Sequence, residues 1–472
     1  MADERDRRIA ELEREVADLR TMVRALIGEV ERLRAENADL RARLGQNSSN
    51  SSKPPSSDSP ADRAARGDKV STGKKRGGQP GHKGSERRLL TPTTPPVACY
   101  PETCRRCNTH LPRRPAADPI RHQVLDLPPI SPEVSEWHLH RVMCPGCGEV
   151  TCAKLPAGVP PGMCGPGLMA LIALLTGDYN LSRRRAVRLL GDVLGIDISL
   201  GALSAAEENV SDAVAAAVEE AREHVADDPI KHVDATGWRQ AGEARTLWTI
   251  ASAAVTVFSI TKNATTAGLR GLFAKVKGIL VSDRGTQFGF WAMDQRQICW
   301  AHLIRRFTAF SERSGPAGLL GHSLLLCAHT MFLAWHRVRD GTLSRSAFQR
   351  LMASLGPVIE RHVENGVRLG IRGISGSCAD ILEHRQALWT FAHAEGVEPT
   401  NNHAERELRA FVLWRKSSFG SQSDRGCRFA ARIMTVTHTL RKQKRHILSY
   451  LTAACQAVLR GRPAPSLITT TP

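Results

Sequence analysis

The sequence predicts a multidomain α+β protein, and three observations lead to that prediction. An apolar seven-residue repeat opens the chain, two CxxC pairs follow it, and the second half alternates between short β-rich runs and helical segments. The chain has 472 residues, of which 42% are hydrophobic and 24% charged. These values exclude a disulfide-stapled miniprotein and a wholly disordered chain.

The chain carries a net charge of +18, and two stretches hold most of it. Residues 45–95 contain ten basic and four acidic side chains, and residues 401–462 contain thirteen and three. Two such regions favour a polyanionic partner that is held in two places. The alternative is the solvated surface of a basic protein. The first residues lack the apolar core of a signal peptide, so we expect a cytoplasmic protein.

Residues 1–44 follow a heptad repeat and are predicted to form a coiled coil. β-Branched residues occupy position a of the repeat, leucine occupies position d, and only Asn37 is polar at a. The apolar residues are Ile9, Val16, Val23 and Val30 at a, and Leu12, Leu19, Leu26, Leu33 and Leu40 at d. This pattern favours a parallel two-stranded coiled coil. We therefore predict a homodimer or higher oligomer. The alternative is a single amphipathic helix that folds back on its own domain.

Residues 45–95 are rich in Ser, Pro, Gly and basic side chains and are predicted to be a flexible basic linker. This linker supplies the candidate DNA-binding residues Lys74, Lys75 and Arg76.

Residues 96–160 are predicted to be a zinc-binding module. Cys104 and Cys107 form one CxxC pair, and Cys144 and Cys147 form another. Two such turns that face each other make a tetrahedral four-sulfur Zn²⁺ site. The segments VLDLPPI and VSEWHLHRV between the pairs are candidate strands. Ordinary buried thiols or a redox-active pair are the alternatives.

Residues 161–228 are predicted to be helical. LSRRRAVRLLGDVLG has apolar residues at helical spacing and stops at Gly195, and Ser199 is placed to cap the next helix. The pair is either a helix-turn-helix that contacts DNA or a plain helical hairpin.

Residues 229–309 change to short β-rich runs. A strand (IKHVDATGW), a hairpin (TLWTIASAAVTVFSI), a helix (TTAGLRGLFAKV), a buried strand (GILVSD) and a short strand that runs into a helix (QICWAHLIRRF) follow one another. This order predicts an RNase H-like α/β domain. Asp234 then lies in the middle of a strand, and Asp283 lies at the carboxyl end of a neighbouring strand, where α/β sheets keep their sites.

Residues 310–395 are predicted to form a helical insertion, in which the uncharged stretch from Ser314 to Trp335 is a buried helix and not a membrane span. Residues 396–450 bring a helix with Glu405 in its first turn. Residues 451–472 are left as a C-terminal tail.

Asp234, Asp283 and Glu405 together suit phosphodiester chemistry. Carboxylates hold two Mg²⁺ or Mn²⁺ ions about 3.5–4 Å apart, and neighbouring cations bind the flanking phosphates. The candidate DNA-binding residues near the acids are Arg305, Arg306, Arg406, Arg409, Arg415 and Lys416. In the alternative interpretation, each Asp bonds a turn at a strand end, and Asn402 and Glu405 form a capping box.

These segments resemble the transposases of the insertion sequence 66 family over nearly the whole chain. The resemblance rests on the leucine-zipper start, NSSNSSKPPSSD, KKRGGQPGHKG, the paired CxxC motif, HVDATGW, VSDRGTQF, CWAHLIRRF and, most specifically, TNNHAERELRAFVLWRKSSFGSQ. It implies that Asp234, Asp283 and Glu405 are the DDE metal ligands and that His302 belongs to a motif near the site.

The resemblance also implies a function and partners. A DDE transposase binds the terminal inverted repeats of its element, cuts a phosphodiester and joins the exposed 3′ hydroxyl to target DNA. The expected partners are double-stranded DNA, a second copy of the chain and accessory proteins of the same element, with no membrane, in a bacterial cytoplasm at the nucleoid. The alternative is a zinc-containing DNA-binding regulator or domesticated remnant that cuts nothing. An RNase H-type nuclease acting on hybrids is disfavoured, because it would need neither zipper nor linker.

Overall fold

A computed structural model describes residues 2–51, 53, 58–67, 89–128, 130–273 and 277–468. In these residues the architecture is mixed helix and sheet, in agreement with the predicted α+β class. Helices surround one five-stranded sheet, and a separate two-stranded hairpin lies in the cysteine-containing segment.

Helix α1 spans Ala2–Leu44 without interruption. Its heptad side chains from Leu12 onwards are exposed, with Leu19 at 57% and Leu26 at 64% of their full accessibility. An amphipathic helix draws most of its stability from covering its apolar face. The described residues of one chain leave that face of α1 open.

The described part of the predicted linker contains more structure than a flexible tether. Asp58 accepts hydrogen bonds from the Ser48 backbone amide (2.8 Å) and hydroxyl (2.7 Å), and helix α2, Pro60–Gly67, follows. The Asn50 amide donates to Glu312 at 2.6 Å. Short polar side chains fix turns of this kind by bonding the local backbone, which the compositional argument from the linker sequence did not include.

The cysteine-containing segment holds only one short hairpin, formed by β1, Arg141–Met143, and β2, Val150–Cys152. The strand predicted in VLDLPPI is wrong, because its described residues have no strand, and only the last two residues of VSEWHLHRV belong to β1. Val124 and Leu127 are 79% and 78% exposed. A strand there would have no apolar layer to pack against.

Four consecutive helices lead from the cysteine-containing segment to the main sheet: α3 is Pro166–Thr176, α4 is Arg183–Leu194, α5 is Leu200–Ala213 and α6 is Ala215–Asp227. Gly195 ends α4 with a φ of 64°, and the Ser199 hydroxyl caps α5 by accepting from the Ala202 amide at 3.1 Å. Both predicted helix signals are therefore confirmed.

In a helix-turn-helix the second helix reads the bases, and α5, which holds that position, buries one side and exposes its first residues, Leu200 and Gly201. Leu203 and Val210 on α5 are fully buried, whereas the exposed basic side chains Arg184, Arg185 and Arg188 lie on α4.

The main sheet has the strand order β5-β4-β3-β6-β7, in which β3, β4 and β5 are antiparallel and β3, β6 and β7 are parallel. The predicted strands are confirmed as β3, Ile230–Gln240, β4, Glu243–Ala251, β5, Thr256–Thr261, β6, Ile279–Ser282, and β7, Arg296–Ile298. The helix predicted in TTAGLRGLFAKV is shorter, because α7 covers only Thr266–Arg270 and has glycine within it and at its end. Residues 274–276 lie outside the described residues.

The segment after β7 is helical, as predicted. Its helices are α8 (Trp300–Ser311), α9 (Pro316–Arg339), α10 (Arg345–Arg368), α11 (Ser375–Glu383) and α12 (Thr390–His393). These helices share a core with β6 and β7. Of the described helices, α9 alone is long and apolar enough to cross a membrane. Leu324 and Met331 of α9 are fully buried, as in the core helix of a globular domain.

Three further helices close the fold: α13, Asn402–Ser418, α14, Asp424–Lys442, and α15, Ile447–Leu459. They share a second core with α3–α6 and with β3, β4 and β5. The predicted C-terminal tail begins inside α15, and Leu467 beyond it is fully buried. The predicted boundary of the tail therefore divides an apolar helix whose buried residues, Tyr450, Leu451, Ala454 and Cys455, lie on both sides of it.

Candidate active site

Asp234 occupies the central strand of the sheet, where it pairs with Thr249 of β4. Burial is the main reason that the pKa of its carboxyl is raised to about 7. The negative charges of Asp283 and Glu405 act in the same direction. A carboxylate raises the pKa of another carboxyl only when the two are close or poorly screened by water. The charges of Asp283 and Glu405 therefore act directly on Asp234.

Asp283 directly follows β6, at the carboxyl end of the strand parallel to β3. Its Oδ1 accepts a hydrogen bond from the Gly285 amide at 2.9 Å. This bond turns the chain away from the sheet and leaves the second carboxylate oxygen available. Asp283 therefore has the turn contact named in the alternative interpretation and lies beside Asp234 as well.

Glu405 lies in the first turn of α13, where its amide donates to the Asn401 carbonyl at 3.2 Å. Its Oε1 is 3.8 Å from His302 Nδ1, and its Oε2 is 3.8 Å from an Arg305 nitrogen. Oε1 and Nδ1 are both buried and have no hydrogen-bond partner among the described residues. The capping box with Asn402 is not formed, since Asn401 is the N-cap residue.

The orphaned Glu405 and His302 atoms belong to a small set of metal-type donors. Cys299, His302 and Glu405 have ligand atoms within 4.8 Å of one another, and no other set of three or more occurs among the described residues. Burial raises the pKa of Cys299 to about 11, so its thiol is neutral. Asp234 and Asp283 lie outside this set. A divalent cation would both satisfy the orphaned Glu405 oxygen and offset the charge repulsion at Asp234.

A cavity of about 210 Å³ adjoins these groups, and it is lined by Ser51, Asp283, Arg284, Gly285, His302, Arg305, Arg306 and Asp380. Arg284 and Asp380 form an ion pair at 2.5 Å that links β6 to the helical insertion. Asp234 and Glu405 do not line the cavity. Glu405 lies next to His302 and Arg305, which do line it. The predicted cations Arg305 and Arg306 are thus placed at the acids.

The other predicted DNA-binding residues divide into three groups. Arg406, Arg409 and Lys416 are exposed along α13. Arg415 is engaged with β3, where it donates to the Gly237 carbonyl and to the Thr236 hydroxyl. These contacts tie α13 to the sheet. Lys74, Lys75 and Arg76 lie outside the described residues.

Asn401 is a site residue whose role the sequence did not reveal. Its Nδ2 donates to the Val233 carbonyl at 2.7 Å, its Oδ1 is 3.2 Å from His232 Nδ1, and its amide donates to Cys299 Sγ at 3.2 Å. Asn401 thereby joins β3, α8 and α13, which carry Asp234, His302 and Glu405. The doubled Asn before the helix was the available signal, but it was interpreted only as a cap.

A buried polar network also lies behind the Glu405 helix. Glu407 Oε2 is 2.6 Å from His438 Nδ1, and Glu407 Oε1 is 3.4 Å from Lys442 Nζ. Burial alone would raise the pKa of Glu407, but the His438 hydrogen bond and the Lys442 charge lower it to about 2. The network ties α13 to α14, and its members are too far apart in the sequence to be connected by a motif.

The two CxxC pairs fold as near-identical turns. The Cys104 amide donates to Thr109 O and the Cys144 amide to Glu149 O, both at 2.8 Å. The fourth residue after each first cysteine, Asn108 or Gly148, adopts a positive φ and donates back to that cysteine. Among the described residues, the four sulfur atoms do not lie close enough together to form one set of metal ligands. The hydrogen bond between Cys107 Sγ and Thr109 Oγ1, at 3.3 Å, is the main cause that lowers the pKa of Cys107 to about 7.

The fold and site define a mixed helix-and-sheet protein with three partly buried acids beside a basic helix. The sequence model of the transposase IS66 family matches residues 161–429, which is more than half of the chain and includes Asp234, Asp283 and Glu405. The chain therefore belongs to the IS66 transposase family. Residues 2–88 match a family of unknown function (DUF6444). None of the curated proteins compared with the chain matches it.

Family membership supports a transposase role, with DNA as the partner and divalent metal as a cofactor. The matched residues begin after the cysteine-containing segment, so this role rests on the sheet and its flanking helices.

Proposed function

We propose that the chain is a DDE transposase that binds the terminal inverted repeats of its element and catalyses phosphodiester cleavage and strand transfer. The observation that carries the proposal is the place of Asp234 on β3, next to the parallel strand β6 that ends just before Asp283, with the pKa of Asp234 raised by burial and by the charges of Asp283 and Glu405. Three antiparallel strands continued by two parallel ones support an RNase H-like description of the sheet. The long separation of the acids in sequence agrees with a helical insertion between the second and third.

Asp234, Asp283 and Glu405 are the proposed holders of Mg²⁺ or Mn²⁺, which suit hard oxygen ligands. The bound ions supply Lewis acidity and the activation of water for phosphodiester cleavage. The chain contributes positioning. His302 and Arg305 flank the Glu405 carboxylate at 3.8 Å each, and the Asn401 contacts keep α13 against β3.

Arg305 and Arg306 lie where they would bind the phosphate at the acids. Guanidinium groups suit this task because they bind phosphate oxygens in a bidentate manner. Arg406, Arg409 and Lys416 would extend the contact along the DNA backbone. The exposed apolar face of α1 supports a homodimer or higher oligomer that brings two transposon ends together, and the chain would act at the nucleoid.

We further propose that Cys104, Cys107, Cys144 and Cys147 hold structural Zn²⁺. The matching backbone hydrogen bonds of the two turns support this assignment. So do the Gly146 and Cys147 amides, which hydrogen-bond to the Cys144 thiol and lower its pKa. Accessory proteins of the same element remain expected partners.

Cleavage of a labelled transposon end tests the function. We expect Asp234→Asn to abolish metal-dependent nicking and to leave end binding intact, because the substitution removes a metal ligand and no DNA contact. Asp294→Asn, at an exposed acid on another loop, is the matched control and should cleave normally. If the unchanged chain binds the end with Mg²⁺ or Mn²⁺ present and cuts nothing, the chain is the non-catalytic regulator or remnant.

A separate measurement tests self-association. We expect a chain without residues 1–44 to scatter light as a smaller species than the full chain. An unchanged mass would reject the coiled coil.

A further inference from the structure

The solvent face of α13 carries a row of basic side chains that ends in an exposed aromatic ring. Arg406, Arg409 and Lys416 are exposed and make no hydrogen bond or ion pair through their side chains with the described residues. Phe419 follows the helix and is 78% exposed, more than the other exposed aromatic side chains, Tyr179 and Trp137. A ring of this size is normally covered.

The aromatic rings on the inner face of the same helix are covered by packing. Phe411 and Trp414 stack with centroids 5.6 Å apart, and both meet Trp238 of β3 edge-on. Apolar surroundings are therefore available on this helix, and Phe419 is directed away from them.

The backbone holds Phe419 in that direction. Its φ of 59° lies in the left-handed region, and its amide donates to the Arg415 carbonyl at 2.9 Å. The next residues are fixed against the β3–β4 hairpin: the Ser421 amide donates to the Arg239 carbonyl at 2.9 Å, and a Cβ at Gly420 would collide with that carbonyl. Backbone strain at a bulky residue is concentrated at functional positions.

The position of Phe419 relative to Glu405 fits a strand of DNA. Fourteen residues separate them, which corresponds to about 20 Å at about 1.5 Å per residue. One strand of duplex DNA advances about 3.4 Å per nucleotide, so about six nucleotides span this distance. The three exposed cations lie in the interval, and their charge complements a phosphate backbone that runs from the acids to the ring.

We propose that Phe419 is a binding site for one unstacked nucleobase of the DNA held along α13. Aromatic side chains stack on any base, and apolar wedges between base steps unstack duplex DNA. The ring would fix the register of the strand about six nucleotides from the scissile phosphate. This inference rests on the proposed function in that it takes DNA as the ligand of α13.

Fluorescence of 2-aminopurine tests the inference, because it changes when the stacking of the base changes. The probes are duplexes from the ends of the DNA element that encodes the chain, each with one 2-aminopurine about three to nine nucleotides from the cleavage position. The Asp234→Asn chain is used so that the DNA stays intact. We expect a fluorescence change near the sixth nucleotide, its retention in an added Phe419→Tyr and its loss in an added Phe419→Leu.

Affinity for the same duplexes gives the second readout. Phe419→Leu should weaken binding about tenfold, the loss of one base–aromatic stack. Leu326→Ala, at an exposed apolar residue of α9, is the control and should bind as the parent does. An unchanged fluorescence response in Phe419→Leu would overturn the inference. A Phe419→Leu chain that binds DNA normally but has a changed oligomeric mass would also overturn it, because the ring would then contact a second copy of the chain. If the parent bound none of the duplexes, the proposed function would fail together with the inference, whereas normal binding without any fluorescence change would remove the base site alone.

Discussion

The main sheet and the cysteine-containing segment derive their order from different interactions. Trp248 of β4 and Leu280 of β6 are fully buried, and each side of the sheet shares a hydrophobic core with helices. In the cysteine-containing segment, Ile120 is fully exposed and Val124 is 79% exposed. A segment without a buried core needs a cross-link or a metal to hold one conformation. The sheet should therefore fold on burial alone, and the cysteine-containing segment should depend on zinc.

Removal of zinc is the prediction with the largest expected effect. A structural Zn²⁺ contributes about 10–16 kcal/mol in zinc-finger peptides, far more than the single hairpin β1–β2 can supply. We expect a strong chelator to remove hydrogen-exchange protection from the amides of Cys104, Asn108, Cys144 and Gly148 and to leave β3 and β6 protected. Hydrogen exchange with mass spectrometry measures both regions in one sample.

A matched pair of variants controls for damage by the chelator. Cys144→Ser should reproduce the loss of protection, whereas Cys152→Ser, at an exposed cysteine outside the pairs, should not. Full protection of the two turns in metal-free protein would show that the segment folds without zinc and that the contrast with the sheet is false.

The sheet carries a buried cation whose titration should appear in its stability. Lys231 is fully buried and donates to the Asp228 and Lys277 carbonyls, both at 2.7 Å. Burial lowers its pKa from 10.5 to about 8. Between these two values the unfolded chain holds a proton that the folded chain has lost, so the free energy of unfolding rises with pH.

The expected gain is about 3 kcal/mol between pH 8 and 10.5, as an upper bound from the pKa difference. Lys231→Met should lack this rise, since the variant has no group to titrate. Urea unfolding across that pH range measures the difference between the two chains. At neutral pH, Lys277→Met should change stability by less than about 0.5 kcal/mol, because it removes only an exposed ion pair with Asp227. Parallel pH profiles for Lys231→Met and the parent would contradict the buried cation.

The strands and several helix ends could be predicted because their signals are local. Runs such as GILVSD are buried on both faces, and Gly195 and Ser199 act within one turn of the helices that they bound. The candidate strand in VLDLPPI failed for the opposite reason: a strand needs a partner, and the sequence could not show that no apolar layer would cover it. The structure within residues 45–67 was missed because side-chain to backbone bonds, and not composition, determine it.

The candidate site divides in the same way. Asp234, Asp283 and Glu405 were named because an Asp within a strand, an Asp at the carboxyl end of its neighbour and a Glu beside cations together suit metal binding, and because the family resemblance implies the same three residues. Asn401 and Glu407 were missed as parts of the site because their partners, such as Val233 and His438, are distant along the chain. Arg415 was assigned to DNA from its charge alone, whereas its contact with β3 depends on how α13 crosses the sheet.

Asn401→Ala should have the next largest effect. The Val233 carbonyl and the His232 ring would each lose a buried partner, and one unsatisfied buried group costs about 1–3 kcal/mol. We expect a loss of about 2 kcal/mol in urea unfolding and weaker Mn²⁺ binding in calorimetric titration, since α13 carries Glu405. Asn402→Ala, at the exposed neighbour, should change neither quantity. A variant as destabilised as expected but with unchanged Mn²⁺ affinity would restrict Asn401 to the fold.

Ser199→Ala should have the smallest effect, and it probes the helices that pack on the sheet. The Ser199 hydroxyl satisfies the Ala202 amide at the exposed start of α5, whose other side is buried in the shared core. Loss of such a cap costs about 1 kcal/mol, much less than loss of a buried contact, because water replaces the hydroxyl as acceptor. Ser199→Asp keeps an acceptor at the same position and should retain the parent stability in urea unfolding. Equal losses in both variants would mean that Ser199 acts through packing, and that the exposed end of α5 is held by the same burial that holds the sheet.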